Sequence, residues 1–331
     1  MGHRRRESDE LDTLLRQLRQ NVTSISGVFS LKAASTEHIT RAEIRNLLAH
    51  KRIHRIRHGA YVEQQTWVAA HSDPALMRRL LVSAAMVGLR EPAYAYGQIA
   101  AELHGLPIEG SGPSVLEIVR PQGRDLRSAT TRVKSRNRLE DVRILGRELD
   151  DETVTCIHGI PSIGLASAAI TAAAQFEREF AVGVLDAAVR QGVSADELRS
   201  ASSRWKAGKG VVAAARLIEF ARPGAESVLE SISRVRLMDR GIPEPELQRE
   251  FYDSDGFIGR ADMWWPDFKV IGEADGLGKY DDILDLRAEK IREDRLRRLG
   301  LTVVRWTWEE IWSAPREVVA RIGRSRRNPA A

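Results

Sequence analysis

The chain has 331 residues, 43% of them hydrophobic and 29% charged, with a net charge of +5 and a pI near 9.5. That is too long for one ordinary core, too apolar for a disordered chain, and biased towards a polyanionic partner. The single cysteine, Cys156, excludes an internal disulfide and any zinc site built on paired thiolates, and it suits a reducing cytoplasm.

The charged start "MGHRRRESDELDTLL" lacks the apolar run of a signal peptide, and "IGLASAAITAAA" is too short to span a bilayer. A cytoplasmic protein with no membrane partner is therefore expected. Leu11, Leu14, Leu15 and Leu18 have helical spacing, which predicts a helix over 9–22. The stretch "GVFSLKAASTEHITRAEIRNLLAHKRIHRIRHGAYV" then reads as a winged helix-turn-helix. A short helix covers 28–34, Thr40 caps a second helix with Glu43 completing a capping box, and two short strands flank Gly59. In such a fold the second helix enters the major groove and the wing touches the backbone. Arg41, Arg45, Lys51, Arg52, Arg55 and Arg57 would then meet phosphates or base edges of double-stranded DNA. The same cations also read as a solvated helix face beside a hairpin.

Residues 65–222 alternate Ala-rich helices ("DPALMRRLLVSAAMVGL", "REFAVGVLDAAVRQG") with strand-like pieces ("VLEIVRP", "TTRVKSR", "VTCIHGIPSI"), a mixed α/β region without concentrated chemistry. Ser194 and Glu197 form a capping box, and Pro223 with Gly224 marks the expected start of a C-terminal domain. From Ala225 the order reads αβββαβ with a closing helix: "AESVLESISRVRLMDRG", "ELQREFY", a hairpin of strands 257–265 and 268–275, a basic helix near 285–299, and "LTVVRWTWEEIW". Five of the seven tryptophans lie in this part, as core aromatics would.

The hairpin carries the chemistry. With a turn near Pro266 and Asp267, Asp262 lies opposite or diagonal to Glu273, and Glu273 and Asp275 share a face. Three converging carboxylates repel one another unless a cation sits between them, and hard oxygen ligands suit Mg²⁺ or Mn²⁺. Lys279, after the flexible "DGLG", could swing to the same point. A metal there would activate water and neutralise charge on a phosphodiester. Each residue has a plainer reading as well. Glu230 completes the capping box "SVLE", Asp275 with Gly276 is a turn dipeptide, and Asp262 and Glu273 could pair structurally with Arg260 or a helix cation. Lys290, Arg292, Arg295, Arg297 and Arg298 would approach phosphate, or form a solvated face with Glu289, Glu293 and Asp294.

The stretches "AESVLES", "GRADMWWP", "VIGEADGLGKY" and "EKIREDRLRRLGLTVVRWTWEEIW" resemble the PD-(D/E)XK nuclease superfamily, specifically the very-short-patch-repair-like endonuclease domains common in actinobacteria. The resemblance implies Asp262 and Glu273 as metal-binding acids, Glu230 as the acid of the first helix, Asp275 at the position that often holds lysine, and Lys279 as that lysine's replacement. All eight histidines lie at or before His158, so the repair endonuclease's catalytic histidine has no counterpart in 225–312.

The N-terminal stretch, with "AELHGLPI" and "CIHGIPSIGLASAAITAAA", is similar to the AbiEi-type antitoxins of type IV toxin–antitoxin operons. That similarity implies operator binding by the winged helix and a cognate nucleotidyltransferase-type toxin as partner.

The expected fold class is α/β, a multi-domain α+β chain. It comprises a winged helix-turn-helix (1–64), an antitoxin-like middle α/β domain (65–222), a restriction-endonuclease-like αβββαβ domain (223–316) and a basic tail (317–331). The expected function is DNA binding with metal-dependent endonuclease activity in defence or repair. The alternative is a transcriptional autoregulator whose nuclease fold is inactive.

Overall fold

The computed structural model describes residues 2–89, 92–108, 115–121, 131–133, 141–147, 149, 154–275 and 283–327. The protein is mixed α/β, with three sheets among these residues. The chain divides into two units, Met1–Ala172 and Ala173–Ala331.

In the first unit, α1 (Gly2–Asn21) buries Leu11, Leu14, Leu15 and Leu18 along one stripe. Next come β1 (Ser24–Ile25), β2 (Val28–Ser30), α2 (Leu31–Thr36), α3 (Arg41–Ala49), β3 (Ile53–Arg57) and β4 (Ala60–Glu63), with strands ordered β1-β2-β4-β3. The helix expected over 28–34 begins at Leu31 instead. Ser30 is its N-cap, its Oγ accepting from the Ala33 N–H at 3.0 Å, and Phe29 is a strand residue paired with and stacked on Tyr61.

Helix α3 starts where the sequence indicates. Thr40 Oγ1 accepts from the Glu43 N–H at 3.2 Å, while the Thr40 N–H donates to Glu43 Oε2 at 2.7 Å. Ile44 and Leu47 anchor the helix in the core cluster with the α1 leucines. Gly59, at φ +80°, makes the turn between β3 and β4.

The rest of this unit is α4 (Gln64–Ala69), α5 (Pro74–Met86), β5 (Tyr94–Ala95), α6 (Gly97–Leu103), β6 (Val115–Pro121), β7 (Thr131–Val133), β8 (Asp141–Arg147), β9 (Val154–Ile157) and β10 (Ile160–Ile163), with α7 (Leu165–Ala173) at its end. The strands form one sheet in the order β7-β8-β6-β5-β10-β9. Leu80 to Met86, the C-terminal part of α5, are all buried, as expected of a stretch whose side chains are apolar apart from Ser83, whose hydroxyl donates to the Arg79 carbonyl at 2.7 Å.

The second unit begins with α8 (Arg178–Arg190), α9 (Ala195–Arg204) and α10 (Val211–Ala215). It continues with α11 (Val228–Met238), β11 (Glu246–Asp253), β12 (Gly256–Trp265), β13 (Val270–Asp275), α12 (Ile283–Arg298), β14 (Thr302–Thr307), α13 (Trp308–Ser313) and α14 (Pro315–Arg327). The sheet order is β11-β12-β13-β14, with β13 and β14 parallel and joined through α12. Gly272 sits between Trp265 and Trp306, where a Cβ would come within 2.7 Å of both rings. Each indole is satisfied, Trp306 Nε1 donating to Ser233 Oγ and Trp265 Nε1 to the Pro243 carbonyl, both at 2.7 Å.

The boundary expected at 222/223 falls inside this unit, because α8 packs directly on α11. Asp186, fully buried, accepts from Arg234 Nη2 at 3.0 Å on both oxygens, from Ser231 Oγ at 2.7 Å and from the Arg222 N–H at 2.8 Å. Nor is the segment after 316 simply a tail. Val318 and Ile322, one helical turn apart, bury themselves in the tryptophan core, and helix α14 runs on to Arg327.

Candidate functional site

Arg41 and Arg45 lie exposed on α3, Lys51 and Arg55 are exposed before and within β3, and Arg57 ends that strand half-buried. None of these five forms an ion pair with another described residue. The sixth cation, Arg52, is pulled back to α1 by Asp12 at 2.9 Å. Glu43 spends its carboxylate on the capping box, where the hydroxyl and amide of Thr40 lower its pKa, and it makes no ion pair with Arg41 or Arg45.

In the second unit, the β12–β13 ladder runs Trp265↔Val270, Trp264↔Ile271, Met263↔Gly272 and stops. Asp262 is next in line. Its Oδ2 accepts from the Ala274 N–H at 2.9 Å, so a side chain takes over where the ladder ends. On the other side of β12 the register is the same at Leu247↔Met263 and Arg249↔Ala261, but Gln248, opposite Asp262 between them, is unpaired and has φ +55°. Asp262 thus lies at a break in the pairing with both neighbouring strands.

Gln248 Nε2 donates to Glu230 Oε2 at 3.0 Å. Glu230 also takes the Ser227 hydroxyl at 2.8 Å and the Glu226 N–H at 2.9 Å, while Ser227 caps α11 by accepting from the Glu230 N–H at 3.2 Å. The capping reading therefore holds in part, although the carboxylate reaches the amide before the cap rather than the cap's own. Burial pushes the Glu230 carboxyl up, the Glu226 amide opposes it, and the nearby Asp262 charge raises it further. The structure thus brings Glu230 and Asp262 into electrostatic contact.

Glu273 is engaged differently. It points from β13 towards α12 and is only 7% exposed. Oε1 accepts from Arg292 Nη2 and Oε2 from Arg305 Nε, the latter at 2.9 Å. Arg305 also donates to Glu289, and to Glu293 at 2.7 Å, and its Nε stands 3.8 Å from Asp275. Both guanidinium pKa values are raised: burial works against the charged form and the surrounding carboxylates outweigh it. The expected convergence of three carboxylates is therefore replaced by two settings, Glu230 with Asp262, and Glu273 with Asp275 among arginines. Arg260, considered as a partner for Asp262, pairs instead with Glu226 at 2.8 Å. Lys279 lies outside the described residues.

Sequence reasoning did not single out Arg305 or Gln248. Arg305 had a usable signal, since an arginine inside the apolar strand "TVVRWT" calls for a carboxylate partner. Gln248 had none, because its role comes from an irregular backbone.

Glu230 and Asp262 offer the hard oxygens that Mg²⁺ or Mn²⁺ takes, but both oxygens of Glu273 are held by guanidinium groups. Among the described residues no group of three or more His, Cys, Asp or Glu side chains is arranged to hold a metal. As they stand, the described residues do not make up a divalent-cation site.

No family model matches the chain. It is similar to two uncharacterized proteins of Mycobacterium tuberculosis, from strains CDC 1551 and H37Rv, each 33% identical over 157 residues. The matched part covers 47% of this chain and 58% of each relative's length. Among the described residues no helix is long and apolar enough to cross a membrane.

Proposed function

We propose that the protein is a cytoplasmic DNA-binding protein that grips double-stranded DNA through α3 and the β3–β4 hairpin and carries a metal-dependent endonuclease centre in its second unit. The observation that carries the binding half is the set of five cations, on and just after a capped helix and in the adjoining hairpin, with no ion-pair partner among the described residues, which suits them to phosphates. The nuclease half is supported by Asp262, at the point where β12 and β13 part, with Glu230 beside it. The resemblance adds Glu273, Lys279 and, at the edge of the centre, Asp275, and a Mg²⁺ or Mn²⁺ cofactor would require Glu273 to be released from Arg292 and Arg305. The biological role would be defence against foreign DNA or DNA repair.

A second reading is favoured by a specific observation, the double engagement of Glu273 by Arg292 and Arg305. On it the chain is an antitoxin-like autoregulator whose second unit is an inactive platform, partnered by a nucleotidyltransferase-type toxin.

The test incubates wild-type and Asp262→Ala protein with supercoiled plasmid and with single-stranded and branched oligonucleotides, in Mg²⁺, Mn²⁺ or EDTA. Metal-dependent cutting by the wild type alone, with DNA binding kept by the variant, is the expected result. Absence of cutting on every substrate overturns the nuclease and leaves the regulator.

A further inference from the structure

We infer that the α9–α10 helix–loop–helix of the second unit is a contact surface for the phosphate backbone of duplex DNA, made by Lys206, Lys209 and Arg216 and indifferent to base sequence. It extends the proposed DNA binding to a second set of residues, which lie in the other unit and do not depend on the first.

The loop between the two helices is pinned at both ends. Trp205, 2% exposed, closes α9 with its N–H donating to the Ala201 carbonyl at 3.0 Å, and Val211, 1% exposed, opens α10. Between them the Gly208 N–H donates to the Trp205 carbonyl at 2.7 Å. Gly210, at φ +82°, lies so close to Ala174 that a Cβ would come within 2.1 Å of the Ala174 carbonyl oxygen. The loop therefore packs by its backbone, and Lys206 and Lys209 stand exposed on either side of Gly208. Arg216 is exposed at the far end of α10, roughly 10 Å on from Lys209 by helical rise. Ala207, Val212 and Ala213, the exposed residues between the cations, are short, so no bulky side chain holds a phosphate strand away.

The acids nearest in sequence are already engaged. No Asp or Glu occurs between Glu197 and Glu219. Glu197 completes the capping box of α9, its Oε2 accepting from the Ser194 N–H at 2.8 Å and the Ser194 hydroxyl at 2.7 Å. Asp196 and Glu219 both accept from Arg199, at 2.6 and 2.7 Å. Lys206, Lys209 and Arg216 make no ion pair among the described residues. The arrangement repeats that of α3, a capped helix whose acid is spent on the cap and whose neighbouring cations keep their charge for solvent. Such cations neutralise phosphates and release counterions without reading bases. An acidic protein is the poorer fit. The one large apolar side chain exposed in this segment is Val212, too little for the apolar centre of a protein interface.

The experiment measures binding of the full chain to a fluorescent random-sequence duplex, by anisotropy across a salt series. It compares the wild type with the triple variant Lys206→Ala, Lys209→Ala, Arg216→Ala, with the charge-keeping pair Lys206→Arg, Lys209→Arg, and with Arg41→Ala, Arg45→Ala, Arg55→Ala in the first unit. The second-unit triple variant is expected to bind at least about tenfold more weakly at low salt, with a slope of log K on log salt shallower by roughly one unit per cation removed. The charge-keeping pair should bind as the wild type does. Lys206→Glu with Lys209→Glu carries the test if the alanine variant does not fold. Folded second-unit variants with the wild-type affinity and slope overturn the inference, and weakening by the first-unit changes alone then leaves the α3 reading standing. Weakening by the second-unit changes alone keeps this surface and removes the other. A wild-type chain that binds no duplex overturns both. Binding to poly-glutamate that the alanine variant loses while its DNA binding stays overturns the inference in favour of an acidic protein.

Discussion

Two basic stretches of this chain, 40–59 in the first unit and 289–300 in the second, look alike in composition and end in opposite states. Around α3 and the following hairpin, Arg41, Arg45, Lys51, Arg55 and Arg57 have no ion-pair partner among the described residues. Along α12, Arg292 is taken by Glu273 and Glu289, Arg295 by Asp253, and Arg297 by Glu293. The difference lies in the acids. The first stretch has one, Glu43, already spent on the helix cap, whereas the second has acids on its own helix and more on the strands beneath it. Cations count towards a nucleic-acid surface only after the acids that reach them have been subtracted.

The deepest pairing should give the largest effect. Arg234 is fully buried against Asp186, so Asp186→Ala leaves its guanidinium with only the longer Glu244 contact at 3.5 Å and should cost about 3–5 kcal/mol, read as a lower urea midpoint. A loss below about 1 kcal/mol would mean that the second unit does not depend on its buried cation.

At the other pole, the triple variant Arg41→Ala, Arg45→Ala, Arg55→Ala should fold normally and bind duplex DNA at least about tenfold more weakly. Its dependence of log K on log salt should become shallower by roughly one unit per arginine. The matching change in α12, Arg297→Ala, should leave that slope as it was. Equal salt effects from both stretches would erase the contrast.

The cap that consumes Glu43 is a smaller lever. Thr40→Ala should cost about 1 kcal/mol of stability, measured by thermal unfolding.

The smallest effect is in pH. Hydrogen bonds from Arg295 hold Asp253 down at about 2, so its stabilisation is full above the ordinary carboxyl value near 3.9 and is lost as pH falls towards about 2. In an NMR titration Arg295→Ala should return Asp253 to the ordinary range; a midpoint unchanged from the wild type would assign the depression to some other partner.

Much of this architecture was legible because it is local. The Thr40–Glu43 box, the Gly59 turn and the αβββαβ order depend on residues a few positions apart, and so does the strand–turn–strand of the hairpin. The boundary at Pro223 and Gly224 misled because a packing glycine has the same letter as a linker glycine. At 224 a Cβ would lie 2.7 Å from Leu247 Cβ, so the residue marks a close approach between segments of one unit.

Side-chain partnership across the sheet is a different matter. Asp262 and Glu273 could be named as unusual acids in apolar strands from composition and alternation alone, since the cost of burying a charge does not depend on knowing its partner. Which cation or amide answers each acid follows from register: the parallel pairing Glu273↔Arg305, the unpaired Gln248, and the bare backbone at Gly259 that lets Arg292 through. Short-range propensities write elements and caps into the chain order, while ion pairs between strands and helices form only when packing brings together residues far apart in sequence. That is why the acids of the candidate centre could be read in advance and the arginines that hold one of them could not.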